Sequence, residues 1–135
     1  MGEFIRKVNA LGIKFGIWIE PEMISENSEL YRAHPDWAFR IPDRHPVRGR
    51  NQLVLDFSRK EIREYIFEQI CDVLDQGNIE YIKWDMNRSL TDIYSSATKE
   101  QGKVLYDYVL GVYDFLEKLI ERYPDRRMQW RRWTL

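Results

Sequence analysis

Two stretches of alternating polarity organise the chain. Across residues 13–19, Ile13, Phe15, Ile17 and Ile19 fall on one side of a strand, and Lys14, Gly16, Trp18 and Glu20 on the other, before Pro21 ends the run. Across residues 79–88, Tyr81, Lys83 and Asp85 share one face and Ile82 and Trp84 the other. Helical spacing fills the intervals. Residues 3–11 carry Phe4, Val8 and Leu11 on one side, with Gly12 as the C-cap. Ser58-Arg59-Lys60-Glu61 reads as a capping box, and Ile62, Tyr65, Ile66, Ile70, Val73 and Leu74 follow it up to Gly77. A last helix over residues 99–122 buries Leu105, Tyr108, Val109, Val112, Phe115, Leu116, Leu119 and Ile120, and Pro124 stops it. Residues 21–51 form a long polar segment with one short helix near 28–33, broken by His34-Pro35-Asp36-Trp37. Residues 52–56 then bring the chain back to the body.

The resulting order, α-β-α-β-α without repeats, predicts an α/β fold with a parallel sheet. Only two principal strands are expected. A (β/α)8 TIM barrel needs eight such units and roughly 250 residues, so this chain corresponds to about two strand–helix units, a quarter of a barrel.

Composition narrows the function classes. With 135 residues, 44% hydrophobic and 32% charged, the chain can build a core and is not disordered. A net charge of −1 gives no electrostatic case for nucleic acid or an anionic membrane. One cysteine, Cys71, excludes an internal disulfide, and two histidines in unrelated contexts, His34 and His45, make no zinc framework. No run reaches membrane-span length and no signal peptide is apparent, so a cytoplasmic location is expected. Aromatics at 14% suit a sugar-stacking surface or an ordinary core.

Asp85 is the leading chemical candidate. A carboxylate at the carboxyl end of a barrel strand can attack or protonate an acetal carbon, although a loop salt bridge or helix cap uses the same residue. Lys83, on the same face, suits a substrate donor, a Schiff base or an ion pair that keeps Asp85 ionised. Trp18 beside the bare Gly16 leaves room for a flat ligand, or is a core residue. Glu20 and Glu22 flank Pro21 as an acid/base pair or as loop charges. Arg50 suits a clamp on a polar ligand, or simple exposure. Gly49 and Gly77 read as turns, and no phosphate-cradling loop is present.

Four segments taken together resemble the α-galactosidases of glycoside hydrolase family 36, retaining enzymes of clan D. They are Lys14-Phe15-Gly16-Ile17-Trp18-Ile19-Glu20-Pro21-Glu22-Met23, His34-Pro35-Asp36-Trp37, Gly49-Arg50-Asn51-Gln52-Leu53-Val54-Leu55-Asp56 and Lys83-Trp84-Asp85-Met86-Asn87-Arg88. The resemblance covers residues 3–125 and implies the third and fourth strand–helix units of that family's TIM barrel. It implies that Asp85 is the nucleophile forming a covalent glycosyl-enzyme. Lys83 and Asn87 would hydrogen-bond galactose hydroxyls, Trp18 would line the galactose pocket and Arg50 would bind the sugar. It implies α-galactoside substrates and no cofactor.

The departures matter equally. The family's preceding strand, with its Asp-Asp pair, and the later strand bearing the general acid/base Asp have no counterpart here. The chain by itself is therefore expected not to turn over galactosides. A non-catalytic sugar-binding or oligomerising module is the alternative, as is, further off, a Lys83 aldolase. Domain 1–125 is expected to be the barrel piece and residues 126–135 a non-homologous tail. Shifted by one nucleotide, Met128-Gln129, Trp130-Arg131 and Trp133-Thr134 encode Cys, Gly and Gly. With allowed codons at the remaining positions the shifted tail can read Cys-Ser-Gly-Gly-Gly-Gly-Arg, which by the resemblance is the family's next loop and suggests a frameshift near Asp125 rather than a chance basic tail or an added scar. A lone parallel strand pair has open edges, so instability or self-association through those edges is expected.

Overall fold

The computed structural model describes residues 1–87 and 89–131, with backbone alone at Arg131. Arg88 of the Lys83–Arg88 motif, and residues 132–135 of the tail with Trp133 and Thr134, lie outside the described residues.

The chain runs α1 (Gly2–Ala10), β1 (Phe15–Ile19), β2 (Met23–Ile24), α2 (Glu29–Ala33), β3 (Leu53–Val54), α3 (Lys60–Leu74), β4 (Ile79–Asp85), α4 (Val104–Arg122) and β5 (Arg127–Arg131). Single 3-10 turns at Pro35–Trp37 and Gln101–Lys103 precede the third strand and the last helix. The main sheet is parallel in the order β1-β4-β5, which makes β4 its central strand. Trp18 is level with Lys83, Lys83 with Gln129 and Asp85 with Arg131.

The apolar face of β4 drives the packing. Ile79, Ile82 and Trp84 are buried against Ile62, Ile66 and Ile70 of α3 and Val112, Phe115 and Leu119 of α4. Phe57, Trp84 and Phe115 form an aromatic triangle with centroids 5.4–6.4 Å apart. Gly111 admits α4 to the chain entering α3, since a Cβ there would stand 2.0 Å from the Phe57 carbonyl oxygen. No helix among the described residues is long and apolar enough to cross a membrane.

Several expectations need correcting. The sheet has a third strand, β5, within the stretch read as a tail. Met128 and Trp130 alternate there between polar residues, and pairing to β4 uses backbone groups that any side chain tolerates. Residues 21–51 are not merely polar: Met23, Ile24, Trp37, Ala38 and Phe39 are core, and β2 pairs antiparallel with β3. Ser58 does not cap α3. Its hydroxyl and its N–H both donate to Asp56 Oδ1, and Arg59 occupies the cap position without a side-chain bond. Tyr65 and Ile120 are exposed, because each lies at the margin of its helix's apolar stripe.

Candidate active site

The site forms where β1 and β4 end side by side. Alternation sends Trp84 into the core and Lys83 and Asp85 to the open face of the sheet. Asp85 Oδ2 accepts a hydrogen bond from Trp18 Nε1 at 3.3 Å and lies 3.4 Å from Lys83 Nζ. Burial opposes ionisation of Asp85. Hydrogen bonding from Trp18, Asn87 and Lys83, with the Lys83 charge, outweighs it and holds the carboxyl below the usual carboxylate range. Asp85 is thus kept as an anion, the form a nucleophile or a charge stabiliser requires.

Arg50 arrives from a separate loop. Gly49 and Gln52 exchange backbone hydrogen bonds at 3.1 and 3.0 Å around Arg50 and Asn51, whose φ values are +53° and +61°. This is a two-residue hairpin turn with both central residues left-handed, a conformation that Asn tolerates but that Arg adopts only with strain. The turn sets the Arg50 guanidinium over the Trp18 ring, 5.8 Å from its centroid. The guanidinium also reaches Glu20 Oε1 at 2.8 Å. Asn87, just past β4, donates its amide to the same Glu20 oxygen at 2.6 Å. All five residues singled out from the sequence, Trp18, Arg50, Lys83, Asp85 and Asn87, therefore stand in one cluster: Trp18 and Lys83 meet on Asp85, Arg50 and Asn87 meet on Glu20, and the Arg50 guanidinium over Trp18 joins the two sets.

The position directly over Gly16 is taken by Tyr81. A Cβ at Gly16 would lie 2.9 Å from Tyr81 Cδ1, so the ring of Tyr81 fills that position. Glu20 and Glu22 are not an acid/base pair facing one substrate. Glu20 is held by Arg50 and Asn87. Glu22 is buried at 2% exposure, where Trp84 Nε1 donates to its Oε2 at 2.6 Å. Burial pushes its carboxyl up to about 7, and its Oε1 has no hydrogen-bond partner among the described residues. Behind the site, Asp56 is also buried and receives the hydroxyls of Ser58 and Ser95, tying the loop after β4 to the chain after β3. The face of Glu20 was legible, since it continues the Gly16–Trp18 alternation. Its partners, 30 and 67 residues away, were not.

Known proteins share this arrangement of elements. The Melibiase family pattern matches residues 1–130. The chain is 64% identical over 125 residues to the bifunctional alpha-galactosidase/sucrose kinase AgaSK of Mediterraneibacter gnavus, covering 93% of this chain and 13% of that protein. It is 50% identical over 121 residues to alpha-galactosidase AgaA of Geobacillus stearothermophilus, covering 88% of this chain and 17% of that protein. The crystal structure of AgaA, a GH36 α-galactosidase, superposes on 95% of this chain and 18% of its own with a TM-score of 0.91 and 45% identity. Variants of AgaA have been crystallised with raffinose and with stachyose. The chain thus spans only a small part of the length of these relatives. On a match that runs through nearly all of its residues, it belongs to the Melibiase family, the α-galactosidases of glycoside hydrolase family 36.

Proposed function

We propose that these residues form one half of a retaining α-galactosidase site, with Asp85 as its nucleophile. The observation that carries this reading is the state of Asp85. It stands at the end of the central strand with an indole N–H and an ammonium group on one oxygen, contacts that favour its ionised form. In the reaction the Asp85 carboxylate attacks the anomeric carbon and the glycosidic C–O bond breaks. An acid protonates the departing oxygen. Water, deprotonated by that same residue, then cleaves the glycosyl ester and releases galactose with its configuration retained. Trp18, Arg50, Lys83 and Asn87 bind the sugar, the aromatic by stacking and the polar groups through hydroxyls. Raffinose- and stachyose-type α-galactosides are the substrate class that the AgaA complexes favour.

In this proposal the three parallel strands are an arc of a (β/α)8 barrel, its third and fourth units with the strand that follows. The partner carboxylate of a retaining glycosidase sits about 5–5.5 Å from the nucleophile. Glu20 is unsuited to that role, because its Oε1 is already engaged by both Arg50 Nη1 and Asn87 Nδ2. Glu22 is unsuited because it faces the core. The acid therefore comes from another part of the barrel, and this chain alone does not turn over galactosides.

A chimera tests the proposal. Residues 1–125 replace the matching part of AgaSK, and hydrolysis of a nitrophenyl α-galactoside is measured. Activity is expected with the natural Asp85 and a loss of at least about 10³-fold with D85N. A folded D85N chimera that still hydrolyses the substrate refutes the assignment.

A further inference from the structure

We propose that Glu20 is a positioning residue, holding Arg50 and Asn87 in one fixed geometry on a single carboxylate oxygen. The proposal rests on the galactoside-site reading for what Arg50 and Asn87 do, but its geometric content does not depend on it.

The argument begins with what each group would do if left alone. Arg50 has a long side chain with several rotamers and stands 55% exposed on a turn whose backbone is already strained. Such an arginine samples many orientations unless something defines one. Asn87 follows the last strand residue by two positions, in a segment without regular structure. Neither loop contains the means of orienting its own side chain. Glu20 does. Its side chain is only 10% exposed and leaves the end of β1, a strand paired along its length with β4.

Oε1 of Glu20 meets Arg50 Nη1 at 2.8 Å and Asn87 Nδ2 at 2.6 Å, so one rigid acceptor fixes two mobile donors. Both are charge-assisted hydrogen bonds. The Arg50 guanidinium keeps further N–H groups that do not bond Glu20, and those remain for a polar ligand, while the Asn87 amide also bonds Asp85. The Arg50 guanidinium also lies over Trp18, whose indole N–H bonds Asp85. Glu20 therefore sets the position of the guanidinium over the ring that contacts the Asp85 carboxylate. It also explains why the left-handed Arg50-Asn51 turn persists: the Arg50 contacts hold a backbone that is unfavourable in isolation.

The prediction concerns a side chain that touches Arg50 and Asn87 rather than the reacting atoms, so the test needs a readout at those two residues. ¹⁵N-resolved NMR of this chain gives it. In E20Q, the Asn87 side-chain amide and the Arg50 Nε–Hε resonances are expected to shift, and their ¹⁵N relaxation to report increased side-chain motion. The Trp84 indole resonance, on the buried side of the sheet, stays in place and reports an intact fold. R50Q serves as the second variant. It is expected to shift the Asn87 amide in the natural protein and to leave it unmoved in an E20Q background, because the two groups communicate through the shared oxygen. Unchanged Asn87 and Arg50 resonances in a folded E20Q protein overturn the proposal. So does an R50Q effect on Asn87 that survives removal of the Glu20 charge.

Titration with galactose, followed by the same spectra, separates this idea from the functional reading. If galactose binds, E20Q is expected to weaken it by roughly ten- to a hundredfold, the scale on which residues that orient binding groups act. An E20Q protein that binds galactose as well as the natural chain overturns the positioning role. If galactose moves none of the site resonances at millimolar concentration, the half-site reading fails for this chain, while the Asn87 and Arg50 signals still decide the role of Glu20.

Discussion

Replacing Glu22 by Gln gives the sharpest quantitative test. In the folded chain Glu22 is 2% exposed and its carboxyl is pushed from 4.5 up to about 7, chiefly by burial. The groups facing it do not offset that cost: Tyr108 from α4, Glu20 beside it on the chain and Asp85 from β4 are neutral or negative. Its own backbone N–H and the indole N–H of Trp84 donate to it and oppose the rise only in part. Because the folded value lies above the unfolded one, the native state holds the proton more tightly. The associated stability is fully present below about pH 4.5 and is lost as pH rises through about 7. The slope is about 1.4 kcal/mol per pH unit within that window, and the whole effect is roughly 3 kcal/mol. E22Q cannot titrate. Its carbonyl still accepts from Trp84, while its amide NH2 meets the unpartnered side of the pocket at a pH-independent cost of about 1–3 kcal/mol. Urea unfolding of both proteins at pH 5, 6, 7 and 8 reads the difference, and other groups cancel between them. The stability gap between E22Q and the natural chain is expected to move in favour of E22Q by about 2.5 kcal/mol from pH 5 to pH 8. A gap that stays constant over that range refutes the argument that burial governs Glu22.

Three further outcomes follow from the packing and the site. W18F removes an N–H from Asp85 Oδ2, so the Asp85 carboxyl should titrate at higher pH, read from its ¹³C chemical shift; an unchanged or lower midpoint contradicts the hydrogen bond. G111A places a methyl group 2.0 Å from the backbone oxygen of Phe57, which has no flexible end to give way, and should cost at least about 1–3 kcal/mol in urea unfolding. L119A deletes a fully buried side chain of α4 and should cost about 2–5 kcal/mol, with an unchanged midpoint arguing that α4 does not pack on the sheet.

How much of this was legible varies by residue. Trp18, Lys83 and Asp85 could be placed on one face because a strand's period of two admits no other arrangement once Ile82 and Trp84 are buried. Asn87 stood out only through resemblance to a family, and Arg50 was open between a ligand clamp and simple exposure until that resemblance, since nothing in a loop's local pattern says where its side chains go. Glu22 and Asp56 were not expected inside, because buried carboxylates are rare and their donors, Trp84 and Ser95, are distant in sequence. Ser58 illustrates the reverse error. Its spacing to Glu61 matches a capping box, yet Asp56 two residues earlier competes for its hydroxyl and N–H.

The sequence by itself determined the α/β order, the parallel pairing and the two faces of β4, because periodicity and burial are local consequences of side-chain chemistry. Tertiary structure decided which groups share an atom. The meeting of Arg50 and Asn87 on Glu20, the donation of Trp84 to Glu22, and the pairing of β5 with β4 all join residues far apart in the chain. Such contacts depend on where whole elements come to rest, and no local pattern encodes that. At residues 79–85 the two kinds of information converge: alternation turns Asp85 toward the open face, and the fold supplies the indole and the ammonium that hold it as an anion.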